Sequence, residues 1–291
     1  MDVSWPVRNL SYRCLIAIPL ILAAVFAILI IVRGVPLSMD FAGGTHLSIA
    51  VENLEGAPDP VTLEEEFQKA LGAEFEVYQT SSGYDVETSA QLTDNQLENQ
   101  IKPLLYRLGV RGEYTSKELM GSVITDVYKE DARNAIIGAA IAMAIIIFIA
   151  IRHRVSVGGI LLVVGLDALG ALGGMALLRI PLSFGSVAGL LLLIGYAVDT
   201  NILLSTKVLK RLGGTFRDRA AEGMKTGLMM SGTSATALIA MYFVMTPPLI
   251  KEFAGALSIG ILADIVNTWF LNSGILLWYA GKRERRYRGR I

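Results

Sequence analysis

The sequence is poor in the residues that support redox and metal chemistry: among 291 residues it has one cysteine and two histidines. Cys14 cannot form an internal disulfide, and we expect it to be a small buried apolar residue. His46 and His153 are too far apart in the chain to suggest a shared metal ligand set. CxxC, GxxxxGK[ST] and GxGxxG patterns are absent, which removes sequence support for disulfide exchange or nucleotide-driven chemistry. We expect no cofactor, no metal and no enzyme activity.

Charge is also scarce: 18% of residues are charged, against about 25% in a typical globular domain, whereas 53% are hydrophobic. The formal net charge is zero, but residues 34–132 hold 18 acidic and 6 basic side chains. That segment therefore has a formal net charge of −12, and the rest of the chain has one of +12. This segregation indicates a membrane protein with one acidic soluble segment, and it argues against nucleic-acid binding.

Six hydrophobic runs approach the length of about 20 apolar residues that a bilayer span requires. The first spans 14–33 after a short terminus, 1–13. It is longer than a signal-peptide core and lacks a cleavage pattern, so we predict a retained anchor. The other five spans fall within 133–280, at 134–151, 156–178, 184–204, 227–245 and 253–280.

Lysine and arginine in short loops fix the predicted orientation, because such loops stay cytoplasmic. The basic residues concentrate in the N-terminus, after the second and fourth spans, and in the tail 281–291. Both termini are therefore predicted to be cytoplasmic, and residues 34–132 extracytoplasmic, in a multi-pass protein of the cell membrane. The basic loop 207–225 and the tail would attract anionic lipid headgroups.

The acidic segment, called the inserted domain below, has the pattern of a small α+β fold. Strands are predicted at 46–51, 75–78, 84–88 and 111–116, and helices at 62–71 and 93–108. Thr62 and Glu65 form a capping-box pattern for the first of these helices. The order β-α-β-β-α-β suggests a ferredoxin-like sandwich. The predicted fold is thus a membrane all-α bundle of six transmembrane helices with this domain between helices 1 and 2.

Three carboxylates fall inside predicted spans: Asp167, Asp199 and Asp264. Such residues are costly in a bilayer, so they usually face a bundle interior and mark ion or proton routes. Thr200 and Asn201 add a hydroxyl and an amide beside Asp199. The sequence therefore predicts a proton relay through these five residues. The alternative is that the acids only form hydrogen bonds that hold the helices together.

Four segments together resemble the SecD/SecF family over essentially the whole chain. Met39–Leu47 (MDFAGGTHL) is similar to the D-F-x-G-G-T element that follows the first helix. The other three, at 165–174, 191–212 and 251–268, resemble the third, fourth and sixth helices of the family. The short inserted domain favours the SecF branch. The resemblance implies an export accessory of the resistance-nodulation-division type, which works with a SecD-like subunit, the SecY channel and the exported chain.

The family further implies roles for particular residues. A proton gradient, or sodium in some members, would drive the motion of the outer domain, with Asp199 as the protonatable switch and Asp167 nearby. Asp40, Phe41, Gly43 and Gly44 would join the first helix to the inserted domain. Bacterial SecF sequences tend to have V-N-D-T where residues 198–201 are Val-Asp-Thr-Asn. The acid thus stands one position earlier, a form seen more in SecD, which suggests an archaeal-type member.

Two other functions stay open at this stage. One is a subunit of a proton-coupled pump of the same superfamily that exports small molecules or lipids. Such pumps usually carry two repeats with large outer domains in one chain, whereas this chain has one repeat. The other is an assembly factor that transports nothing, in which the buried acids are structural.

Overall fold

The computed structural model describes residues 4–51, 58–80, 82–110, 112–120, 122–151, 154–210 and 213–288. Of the predicted basic tail, residues 289–291 lie outside the described residues. The helices are α1 (Trp5–Asn9), α2 (Tyr12–Arg33), α3 (Met39–Ala42), α4 (Pro60–Leu71), α5 (Asp94–Gln96), α6 (Lys102–Arg107), α7 (Ser122–Ile151), α8 (Arg154–Leu178), α9 (Phe184–Lys210), α10 (Phe216–Val244), α11 (Pro248–Val266) and α12 (Ser273–Arg288).

Within the described residues, five helical segments are long and apolar enough to cross a membrane: Tyr12–Arg33, Thr125–Ile151, Ser156–Leu178, Phe184–Leu209 and Phe216–Val244. The chain is therefore a multi-pass membrane protein. The sixth predicted span, 253–280, falls on α11, a π-helical turn (Asn267–Asn272) and α12, which follow one another without a break. A six-helix count stays a prediction.

The first span packs against the bundle along a narrow face. Leu15 and Pro19 are buried, whereas Ile31 and Val32 on the same helix are among its most exposed side chains. Cys14 is exposed, so the expectation of a buried cysteine is wrong. The reason is that an apolar residue of a membrane helix can face lipid, where burial in protein is not needed.

The inserted domain has the predicted β-α-β-β-α-β order. Its strands β1 (Gly44–Val51), β2 (Phe75–Thr80), β3 (Gly83–Thr88) and β4 (Gly112–Met120) form an antiparallel sheet in the order β2-β3-β1-β4. One face of the sheet packs on α4 and on α6 through an apolar core. The helix predicted from Thr62 begins instead at Pro60 after Asp59. Pro is favoured in the first turn because its missing N–H would be unpaired there.

Glycines let α11 approach α8 and α9 closely. A Cβ on Gly170 would lie 2.7 Å from the Cβ of Ala263, and one on Gly189 would lie 2.9 Å from the carbonyl oxygen of Phe253. Small residues at such crossings allow neighbouring membrane helices to come into direct backbone contact. The close packing brings polar side chains of three helices within hydrogen-bonding distance of one another.

Candidate functional site

Seven buried polar residues form one cluster where α8, α9 and α11 meet the π-helical turn. We call them the inner polar cluster: Asp167, Thr200, Asn201, Asp264, Asn267, Thr268 and Asn272. None is more than 5% exposed. Three of them belong to the π turn, and such turns are frequent at functional sites because they change which residues point inward.

Asp264 on α11 accepts hydrogen bonds from two hydroxyl groups. The Thr200 Oγ1 on α9 lies 3.0 and 3.1 Å from the two carboxylate oxygens. The Thr268 Oγ1, one turn further along the chain, lies 2.6 Å from Oδ1. The carboxylate is thus held from two helices at the centre of the contact.

Asp167 on α8 lies beside Asp264, within hydrogen-bonding reach. Its Oδ1 accepts a hydrogen bond of 2.7 Å from the Asn267 Nδ2. Its Oδ2 is buried and has no donor among the described residues. A hydrogen bond between the two carboxyl groups needs a proton on one of them, and that proton would satisfy the remaining oxygen.

Asn201 extends the cluster along α9. Its Nδ2 donates to the Thr268 Oγ1 at 2.8 Å, and its Oδ1 accepts from the Asn272 Nδ2 at 2.6 Å. Hydrogen bonds therefore run from Asp264 through Thr268 and Asn201 to Asn272. Buried polar networks of this kind specify one packing arrangement, since leaving any member unpaired is costly.

Asp199 does not belong to this cluster. It is exposed on a different side of α9, whereas the adjacent Thr200 is buried, because successive helical residues point about 100° apart. It lines a largely apolar crevice of about 790 Å³ with residues of α7, α9, α10 and α11. Of the five predicted relay residues, four lie together in the inner polar cluster and Asp199 lies outside it. The four are Asp167, Thr200, Asn201 and Asp264.

Asn267, Thr268 and Asn272 were not among the predicted relay residues. The hydropathy and capping patterns do not predict a π turn. Such a turn changes which of these side chains point toward the neighbouring helices. Among the described residues, no group of three or more His, Cys, Asp or Glu side chains is placed to hold a metal ion.

The predicted junction residues connect the inserted domain to the start of α9. The Asp40 Oδ2 accepts a hydrogen bond of 3.0 Å from the backbone N–H of Phe184. The Phe41 ring lies 5.4 Å from that of Phe184, which also meets Tyr128 of α7 at 4.7 Å. Gly43 ends α3 with φ 77°, a left-handed conformation that favours glycine. The element after the first helix thus contacts the helix that carries Thr200 and Asn201.

A group of carboxylates lies between the sheet and the membrane helices. Glu76 on β2 is directly opposite Glu87 on β3, an arrangement that is unfavourable when both are charged. Burial, and to a smaller extent the nearby carboxylates of Glu76, Asp40 and Asp85, raise the pKa of Glu87 to about 7. Glu87 therefore binds its proton more tightly in the folded chain than in the unfolded one.

This shift predicts how the domain responds to pH. Because the pKa of Glu87 is raised on folding, its contribution to stability is complete below pH 4.5, the ordinary value, and is lost as the pH rises through about 7. After correction for intrinsic rates, amide exchange in β2 and β3 should become faster from pH 5 to pH 8. Glu87→Gln should weaken that dependence, whereas Glu74→Gln, which alters an exposed side chain, should not. An unchanged pH profile in Glu87→Gln would contradict the assignment.

Comparison with known proteins is consistent with this geometry. Residues 100–282 match the family model "Protein export membrane protein SecD/SecF, C-terminal", and residues 28–53 match the SecD/SecF GG motif. The chain belongs to the SecD/SecF family. The family model covers the inner polar cluster, and the GG motif covers the junction residues.

Archaeal relatives extend the match over nearly the whole chain. It is 35% identical over 276 residues to the protein-export membrane protein SecF of Methanocaldococcus jannaschii, covering 92% of this chain and 96% of that one. It is also 35% identical to SecF of Methanothermobacter thermautotrophicus, covering 94% of each. The archaeal-type resemblance is thus confirmed. These names denote membrane export proteins, in line with the non-enzymatic role expected from the sequence.

Solved structures show the same fold. SecDF of Thermus thermophilus, described as a translocon-associated membrane protein, superposes with a TM-score of 0.71 at 21% identity. The match covers 97% of this chain and 39% of that one. A heavy-metal efflux pump matches less well, with a TM-score of 0.50 at 9% identity. At these identities the likeness concerns the fold alone, so it assigns no activity.

Proposed function

We propose that this chain is the SecF-type subunit of a protein-export complex, which assists the passage of polypeptides across the cytoplasmic membrane by using the proton gradient. The names of its relatives support export. The observation that supports coupling to an ion is the inner polar cluster, because two buried carboxyl groups lie side by side with no basic partner within it. Both termini would be cytoplasmic, with the ferredoxin-like inserted domain outside.

The proton site of this proposal is the Asp167–Asp264 pair. Two adjacent carboxylates in a low-dielectric site cannot both ionise readily, so the pair holds one proton in its resting state. Hydroxyl groups of Thr200 and Thr268 can stabilise the charged form of Asp264. Loss or gain of that proton would change the hydrogen bonds between α9 and α11, which is a local event that can bias a helix contact.

Asp199 has a different place in this proposal. A carboxylate exposed on the side of a membrane helix is costly in lipid, so we expect another protein to cover it. The crevice beside it is apolar and includes Gly195, where the helix surface is open. A SecD-like membrane subunit is the partner that this surface fits. Asp199 would then extend the proton path across the subunit boundary.

The junction residues would transmit the change to the inserted domain. Asp40 bonds to the first turn of α9, and Thr200 and Asn201 lie further along that helix. A movement of α9 relative to α11 would therefore alter the support of α3 and β1. The SecY-type channel and the exported chain are the expected partners on the outer side.

Export into membrane vesicles under an imposed proton gradient tests the proposal. One charge crossing 100 mV is worth about 2.3 kcal/mol, or roughly a 50-fold bias. In Asp264→Asn, which keeps the shape of the side chain, we expect the gradient-dependent part of export to fall to the level of vesicles without the protein. Asn267→Ser serves as the comparison, because it alters the same cluster without removing an acid, and should retain most of the stimulation.

Two results would overturn parts of this proposal. Full stimulation by the gradient in Asp264→Asn would exclude the buried pair as the proton site, and stimulation by sodium alone would exclude the proton as the coupling ion. If a SecD-like subunit co-purifies with the Gly195→Trp variant as well as with the wild type, the crevice is excluded as the partner surface.

A further inference from the structure

A second cavity lies at the end of the bundle nearest the inserted domain. It measures about 420 Å³ and opens between α7 and the α8–α9 pair. Its walls are apolar and include Phe41, Ile136, Leu172, Leu182, Val187 and Leu190. The cavity lies beside the first turns of α9, on a different part of that helix from the inner polar cluster. Because nine of its eleven lining side chains are apolar, the cavity suits hydrocarbon better than a water-soluble ligand.

Two cations stand at one end of this cavity. Lys129 and Arg133, one turn apart on α7, are the charged residues among its lining. Each also has a neighbouring acid on the same helix, Asp126 at 3.7 Å and Glu130 at 3.2 Å. Those pairs are exposed, with at least 49% of each side chain accessible, and exposed pairs of this kind contribute little. Both cations can therefore turn toward an anion at the cavity.

An apolar cavity lined by two positive charges is unusual on this side of the protein. The segment 34–132 carries 18 acids and 6 bases, so its general field repels anions. Here two bases lie directly above an apolar cavity at the edge of a membrane helix. Arg and Lys bind phosphate through charge-assisted hydrogen bonds, and the aromatic rings of Phe184 and Tyr128 nearby are typical of the membrane boundary.

We propose that this cavity is a binding site for one anionic phospholipid, with a hydrocarbon chain inside and the phosphate held by Lys129 and Arg133. The bound lipid would contact Phe41 of α3, Leu182 before α9 and Ile136 of α7 at the same time. It would therefore join the two points at which the inserted domain connects to the bundle. A lipid at this place stabilises the junction, which a general lipid annulus does not.

The test uses purified full-length protein and native mass spectrometry, with phosphatidylglycerol and phosphatidylcholine that carry the same chains. We expect wild-type protein to retain about one phosphatidylglycerol and to prefer it over phosphatidylcholine. Lys129→Gln combined with Arg133→Gln should reduce phosphatidylglycerol retention about 30-fold, since each cation near an anionic headgroup contributes about fivefold. Retention of phosphatidylcholine should fall less, because its choline cation offsets the charge of its phosphate.

Arg33→Gln combined with Arg179→Gln is the matched control, because it removes two positive charges near the same end of the bundle from outside the cavity lining. Equal loss of phosphatidylglycerol in this control would overturn the proposal in favour of general charge attraction. Leu190→Trp tests the cavity independently of charge: it should lower retention of both lipids by filling the space. Unchanged retention in Leu190→Trp, or in the Lys129 and Arg133 variant, would also overturn the site.

Discussion

Export driven by the proton gradient should survive when the acid at position 264 is moved to position 200. Thr200 Oγ1 lies 3.0 Å from an oxygen of Asp264, so the two side chains face each other across the contact between α9 and α11. The V-N-D-T pattern of the resemblance implies an acid at the position of Thr200 in bacterial members. In this chain Asp264 presents a carboxylate to that position from α11. The double variant Thr200→Asp, Asp264→Thr should therefore retain most of the gradient-dependent stimulation.

The single changes provide the contrast. Asp264→Thr leaves no carboxylate at this position and should lose the stimulation, which is worth up to about 50-fold per proton at 100 mV. Thr200→Asp alone places a third acid beside Asp167 and Asp264, so it should destabilise the bundle by about 3 kcal/mol or more. Vesicle export and thermal unfolding in detergent measure the two effects. If the double variant is as inactive as Asp264→Thr, the two positions are not interchangeable and the acid must come from α11.

The sequence predicted the parts of this molecule that depend on local pattern. The membrane spans are long apolar runs and β1 to β3 contain short ones, so these segments were apparent from sequence. Their ends were less well placed: α7 begins at Ser122 and α10 at Phe216, whereas the predicted spans are 134–151 and 227–245. The three acids within the predicted spans were also apparent from sequence, because charged residues stand out in apolar spans, although only Asp167 and Asp264 are buried. The sequence did not show which of these acids lie together in the folded bundle. The side of α9 that faces α11 is decided by packing, and Asp199 differs from Thr200 by only one position.

The π turn at Asn267–Asn272 illustrates the same limit. An α-helix through this segment would present a different set of side chains to α8 and α9. Trp269 of this turn packs on Gly227 of α10, in the space that a Cβ at that position would occupy. That contact links two helices far apart in the chain, and neither sequence segment indicates it alone.

The largest effect on stability should come from Gly44→Ala at the start of β1. A Cβ at this position would collide with the carbonyl oxygen of Thr88 and lie 2.9 Å from the Cα of Ser89. The backbone φ of 150° is also one that residues other than glycine rarely adopt. Strain and collision together should cost about 3 kcal/mol or more. Amide exchange in β1 and β3 of the full-length protein should become at least about a hundredfold faster.

Gly34→Ala separates the collision from the backbone strain. Gly34 ends α2 ten positions earlier with φ 69°, and a Cβ there would meet no atom within 4 Å. Its cost should be only the strain of this positive-φ backbone conformation, about 1–2 kcal/mol. Similar exchange rates in the two variants would show that the approach of β3 is not what requires glycine at 44. Much faster exchange in Gly44→Ala than in Gly34→Ala would mean that Gly44 lets β3 pack closely on the start of β1. That close packing would then hold Asp40 and Phe41 in a fixed position beside the inserted domain.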